Sequence, residues 1–249
     1  MNYCNKMGLF LKDHKQILEE SIEKVLDNYK NDVNLIKENF DFIFREIENE
    51  TYVLYLKYEE EFGRNALKLF AEYQIKNKII NNLDDFLNQS GDYFNLFDRF
   101  YLSIAQSRKA RSGQSFEIIT KKLFKILGYP FSEQIIINGK PDFLMPFEKH
   151  YRDNPMDCII FTVKRTLRER WRQIISEGTR GLGFYLATID QKITENQIRE
   201  MLNHRIYIVC PKDIKIKYYI NRINVISFNQ FFKDHLDPAI TRWKNNGVI

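Results

Sequence analysis

Apolar residues recur at three- and four-residue spacing through the first hundred positions. Leu18, Ile22, Val25, Leu26 and Tyr29 form one stripe, and Phe40, Phe42, Ile43 and Ile47 continue it. That is the period of helices that each bury one face. Proline and glycine are scarce in this stretch, so Gly63, Asn81-Asn82 and Ser90-Gly91 are the expected breaks between several helices ending near Ser107. Beyond Ser107 the pattern alternates between helix and strand. An amphipathic helix is predicted from about Gln114 to Leu127, stopped by Gly128. Gln134 to Ile137 reads as a strand, Asn138-Gly139 as a tight turn, and Pro141 to Met145 as the returning strand. Cys158 to Val163 is a continuous apolar run of the buried-strand kind, leading into Lys164 and a helix from about Leu167 to Gly178. Phe184 to Thr188 and Ile206 to Val209 are further buried strands, separated by a helix that Thr194 caps with Gln197 three residues on. From Ile214 onward the pattern predicts a strand around Val225-Ile226, a short helix and a polar tail. The fold class is therefore α/β: a mixed β-sheet core flanked by helices, with a helical N-terminal region. The expected boundary divides residues 1–105 from residues 106–249.

Composition changes this picture little. With 249 residues, 44% of them hydrophobic, the chain can bury a sizeable core, which excludes extensive disorder. The three cysteines, Cys4, Cys158 and Cys210, stand far apart and without histidine partners, against a zinc site or a disulfide framework. No run of about eighteen uncharged apolar residues is present. The start, Met1-Asn-Tyr-Cys-Asn-Lys, lacks the pattern of a secretory signal. A cytoplasmic protein with no membrane partner is expected.

Charge is more informative in its distribution than in its sum. A net charge of +5 and a pI near 8.9 suit a solvated surface as well as a DNA partner. Two short segments are distinctly basic, Arg108-Lys109-Ala110-Arg111 and Lys164 to Arg172, and the second holds five cations and one anion.

The second segment adjoins residues with chemistry to offer. Hydrolysis of a phosphodiester needs an in-line water, a metal to acidify it and a cation to support the developing charge. Asp142, after Pro141 on the returning strand, and Lys164, at the end of the next strand, supply a carboxylate and an ammonium on neighbouring strand ends. In the commonest arrangement an acidic residue stands two before the lysine, on the same strand face. Here that position is Thr162, a poor ligand for a hard cation. Glu169, Gln173 and Glu177 lie at four-residue intervals on the following helix. Of the two glutamates, Glu177 is assigned to metal, and Glu169, among arginines, to DNA. Each residue alone has an ordinary reading, as turn chemistry, a solvated lysine or a surface glutamate. Their order along the chain is what favours a site.

These segments resemble the type II restriction endonucleases of the EcoRII, PspGI and SsoII group, which belong to the PD-(D/E)XK superfamily. Ser107 to Glu117 resembles the family's entry to a helix bearing an active-site glutamate. Gly139 to Phe143 resembles its metal-binding strand, and Val163 to Gln173 with Glu177 its catalytic lysine and recognition helix. The resemblance extends over about residues 106 to 210. It implies a restriction-endonuclease-like core, with Asp142, Lys164, Glu177 and Glu117 catalytic and Asp142 and Glu177 holding Mg²⁺. Arg168, Glu169 and Arg170 would read bases of a CC-GG site in the major groove, where arginine can bond guanine O6 and N7 and glutamate can accept from cytosine N4. Gln106 would make a minor-groove contact, and Arg108, Lys109, Arg111, Arg165 and Arg172 would contact phosphates. Family members flip the central bases into protein pockets; Tyr52, Tyr55 and Phe62 are aromatics available for this that equally suit a core. The expected activity is Mg²⁺-dependent double-strand cleavage at a CCNGG or CCWGG-type site by a homodimer, without a nucleotide cofactor. The alternatives are a structure-selective or repair nuclease on the same core, and a DNA-binding module with a decayed site, which Thr162 keeps open.

Overall fold

The computed structural model describes residues 8–77, 79, 81–133, 135–137, 140–167 and 183–249, without the side chains of residues 109, 110 and 112. The first half is helical, as its apolar period requires. Helix α1 spans His14–Asp27 and α2 spans Val33–Glu38, where the side chain of Asp32 accepts from Asn34 N and Leu35 N. Helix α3, Phe40–Lys76, and helix α4, Leu83–Ile126, are far longer than the spacing of glycines predicts. Gly63 and Gly91 lie inside them and break neither. A helical glycine costs only about 1 kcal/mol relative to alanine, less than a long apolar stripe gains on burial. The break expected at Asn81-Asn82 is found between α3 and α4, with Asn82 Oδ1 accepting from Asp85 N at 2.9 Å. The change of texture at Ser107 leaves α4 uninterrupted. Gly128 ends it as expected: its φ of +69° carries the chain out, and Tyr129 N donates back to Phe124 O.

Six strands form one sheet in chain order: β1 Ser132–Glu133, β2 Phe143–Met145, β3 Ile159–Val163, β4 Gly183–Ala187, β5 Ile206–Val209 and β6 Val225–Ile226. Strands β1 to β3 pair antiparallel and β3 to β6 pair parallel. The strand expected at Gln134 to Ile137 falls at Ser132–Glu133 instead. Ile135 to Ile137 lie outside any strand, while Gln134 and the turn Asn138-Gly139 are outside the described residues. Around the sheet run α5, Glu148–Asp153, and α6, Glu195–Asn203, whose Thr194/Gln197 capping box matches expectation. Helix α7, Lys212–Tyr218, was not marked by the pattern. The short helix expected after β6 is α8, Phe228–Phe231, but the polar tail expected beyond it is in fact helical: α8 runs through a π-helical turn, Phe232–Leu236, into α9, Asp237–Asn245. Trp243 in α9 is fully buried and its Nε1 donates to Asp157 O.

The chain divides into two compact units: the described residues up to Glu23 with 49–114, and residues 24–48 with 115–249. This differs from the expected division at 105/106. In the first unit, Phe62, Ala66 and Ile104 form one core, and Ile17, Leu54 and Tyr55 another. In the second, strand alternation sends two sets of side chains to opposite faces of the sheet. One set, including Leu144, Ile160, Leu186 and Ile208, packs with Ile198 and Met201 of α6. The other, including Phe143 and Phe161, meets Phe124 of α4, which packs on Phe40 of α3, itself against Phe228 and Phe232.

Candidate active site

The antiparallel register that pairs Phe143 with Phe161 sets the residue before β2 beside the end of β3. Asp142 therefore meets Thr162, Val163 and Lys164. One carboxylate oxygen, Asp142 Oδ2, accepts from Thr162 Oγ1 at 2.8 Å, from Val163 N at 2.6 Å and from Lys164 Nζ at 3.2 Å. The pairing expected of Asp142 and Lys164 is present, and Thr162, fully buried, orients the aspartate from the position usually occupied by an acid. Helix α4 brings Glu117 to the same place. Burial foremost, then the negative charge of Asp142 and more weakly of Glu133, raise the Glu117 pKa above the usual carboxylate value, while Lys164 and Lys121 oppose the shift. Glu117 thus lies within electrostatic reach of Asp142 and Lys164. Glu133 is itself paired with Lys121, and with Lys125 at 3.5 Å.

The segment after β3 is held residue by residue. Lys164 N donates to Ala187 O, and the carbonyl of Arg165 accepts from Thr188 Oγ1 at 3.2 Å. Leu167 N donates to Asp190 Oδ2 at 2.9 Å while the Leu167 side chain is buried in the core. The Arg165 guanidinium donates to Glu48 Oε1 at 2.7 Å, and Arg45 donates to Glu48 Oε2 at 2.9 Å. Sequence reasoning missed Glu48 and Asp190. Glu48 lies 117 residues from Arg165, beyond any local pattern, whereas an aspartate just past a buried strand, as Asp190 is past β4, was a signal available to be read.

Other residues singled out in the sequence are placed as follows. Arg108 engages Glu59, with Nε to Oε2 at 2.9 Å, and Arg111 lies over the Tyr55 ring at 5.4 Å with its guanidinium bonded to Ser107. Gln106 is exposed. Tyr55 and Phe62 are buried, the latter stacked on Phe100, while Tyr52 is 53% exposed. Lys109 is described only in its backbone. Arg168, Glu169, Arg170, Arg172 and Glu177 lie outside the described residues, as does most of the helix expected from Leu167 to Gly178. Among the described residues, no three His, Cys, Asp or Glu side chains are grouped to hold a metal.

A mixed six-stranded sheet with an aspartate entering one strand and a lysine leaving the next defines a fold shared with restriction endonucleases. Ecl18kI, solved metal-depleted in complex with uncleaved DNA, matches 91% of this chain and 79% of its own with a TM-score of 0.72 at 24% identity. PspGI, solved as a complex with substrate DNA, matches 93% and 96% of the two chains with a TM-score of 0.64 at 19% identity. Residues 68–232 match the model of the EcoRII C-terminal family, and the chain belongs to that family. It is 28% identical over 201 residues to the type II restriction enzyme SsoII of Shigella sonnei, covering 76% of this chain and 65% of that enzyme. It is 34% identical over 122 residues to the type II restriction enzyme EcoRII of Escherichia coli, covering 47% of this chain and 30% of that enzyme. The match thus spans less than two thirds of either relative.

Proposed function

We propose that the chain is a type II restriction endonuclease that makes double-strand breaks in DNA, using Mg²⁺, at a CCNGG or CCWGG-type site. The observation that carries the reading is the contact of Asp142 with Lys164 beside Glu117, on a fold shared with such enzymes. Asp142 and Glu117 suit a hard divalent cation: they are two half-buried carboxylates whose mutual repulsion a cation would relieve. Glu177 is the third ligand that the sequence supplies. Bound there, the metal would acidify a water and offset charge on the scissile phosphate. Lys164, an ammonium held on Asp142, supports negative charge developing on the phosphate, and Thr162 and Val163 N fix the aspartate that would face it. Arg168, Glu169 and Arg170 read the bases, an assignment that rests on the resemblance. Flipping of the central bases and a homodimer with one centre per strand belong to the same reading.

Plasmid incubated with the protein and Mg²⁺ should yield discrete fragments whose ends map to one short sequence. Lys164→Ala and Asp142→Asn should each slow cleavage by a factor on the order of 10² to 10³. Absent fragments, or a Lys164→Ala variant that cuts like the parent, would reject the assignment. Scattered ends would place the protein among structure-selective nucleases instead.

A further inference from the structure

We infer that Glu48 is a positioning residue for Lys164, acting through Arg165, and that Arg165 serves this clasp rather than a DNA phosphate. The inference rests on the nuclease reading of Lys164. Arg165 follows Lys164 directly, so its side chain is the nearest handle by which another element can fix the backbone that carries the lysine. Glu48 grips that handle from α3. Its side chain is only 6% exposed and its two oxygens take one guanidinium each, Arg165 at 2.7 Å and Arg45 at 2.9 Å. Arg45 is braced in turn by Asp213 at 3.6 Å. With one arginine on each oxygen this buried carboxylate is fully engaged, and removing either arginine weakens the compensation of its charge.

Further restraints on this segment come from β4 and the residues that follow it: Ala187 O on Lys164 N, Thr188 Oγ1 on Arg165 O, and Asp190 Oδ2 on Leu167 N. They fix the segment against its neighbouring strand. Glu48 adds a hold from a separate element, so the backbone under Lys164 is restrained from two directions. The Nζ to Asp142 Oδ2 distance of 3.2 Å depends on where that backbone sits, and a misplacement of about 1 Å in a catalytic group can cost on the order of 100-fold in rate. Meeting a phosphate through the edge of Arg165 that binds Glu48 would require giving up that buried partner, which a solvated arginine need not do.

The test compares Glu48→Gln, Arg165→Met and the double variant with the parent. It uses single-turnover plasmid cleavage, affinity and its salt dependence for a metal-free duplex carrying the site, amide exchange across residues 163–167, and urea unfolding. A clasp predicts that each single variant lowers the cleavage rate about 10- to 100-fold with DNA affinity within about twofold of the parent. It predicts that the double variant cuts no more slowly than Glu48→Gln, because the Glu48–Arg165 contact is lost in all three. Exchange at Lys164 should quicken in each while cooperative unfolding is retained. Should a single variant fail to fold, the double, which removes both charges of the pair, carries the comparison. If Arg165→Met weakens DNA binding and lowers the salt slope by about one while Glu48→Gln cuts like the parent, Arg165 is a phosphate contact and the inference falls. If the parent makes no cut, the nuclease reading fails by itself, and Lys164 exchange still decides the clasp: unchanged protection in Glu48→Gln overturns it.

Discussion

Asp142 Oδ2 collects three donors, and each of the three has a different consequence when lost. Val163 N belongs to the backbone and is fixed by the sheet. Lys164 carries charge that hydrolysis would use. Thr162 contributes a neutral hydroxyl in a fully buried position, so its role is orientation. Thr162→Val keeps the shape and removes the donor. It should lower stability by about 1 kcal/mol, the net contribution of one hydrogen bond. Cleavage should slow about 10-fold, at the low end of the loss expected when a catalytic group is misplaced, with affinity for DNA unchanged. Single-turnover rates beside urea unfolding measure both, and a variant that cuts at the parental rate would show that the threonine is incidental. At this scale the sequence was legible only in part. The strand pattern placed Asp142 and Lys164 on neighbouring ends, and the register makes them partners. Thr162 could be read only as a missing acid, because a hydroxyl's role depends on what lies across the strand.

The elements differ in how clearly they announce themselves, for identifiable reasons. Strands β3, β4 and β5 are buried on both faces, so their apolar runs are continuous and their limits plain within a residue or so. Helix α6 carries its own start signal in Thr194 and Gln197. The continuation of α8 into α9 was hidden because its buried residues, Phe232, Leu236, Ala239 and Trp243, are interleaved with charged ones and interrupted by a π turn and Pro238. A different kind of contact secures the start of that run. Asp41, at the beginning of α3, accepts from Phe228 N at 3.1 Å and Asn229 N at 3.3 Å. Burial raises its pKa from 3.8 to about 6, against the lowering effect of backbone donors Phe228, Asn229 and Lys212, with Asp213 adding to the rise. A carboxyl whose pKa is raised on folding favours the folded state while protonated. Its contribution is complete below the unfolded value near 3.8 and is lost as pH rises through about 6. The stability difference between the parent and Asp41→Asn should therefore shift by about 2 to 3 kcal/mol between pH 4 and pH 7, the parent gaining toward low pH. Urea midpoints for both proteins across that range supply the test, and a difference that stays flat would mean that Asp41 titrates normally.

At the scale of the molecule, the instructive feature is where residues 24–48 belong. Their apolar stripe was legible as helix, but a stripe records only that a face is buried and not against what. In the structure they join the sheet-bearing unit. Phe40 packs on Phe124, Phe228 and Phe232, and Phe44 on Phe116 and Phe228. Lys37 pairs with Asp237 at 2.8 Å, and Glu48 holds Arg165. The sheet unit is thus assembled from two stretches of chain far apart in sequence, and a boundary drawn where the texture of the sequence changes cuts through it. A fragment of residues 106–249, which the sequence pattern alone would nominate as a self-sufficient core, lacks Phe40 and Phe44, both fully buried in the intact chain. Removing one buried phenylalanine costs about 3 to 5 kcal/mol, and two such losses approach the whole stability of an ordinary domain. The fragment should therefore show no cooperative unfolding in urea and little protection from amide exchange in β3 and α8. Fusing residues 24–48 ahead of it through a flexible linker should restore both. A fragment that unfolds cooperatively without that addition would show that the sheet holds its aromatic core unaided.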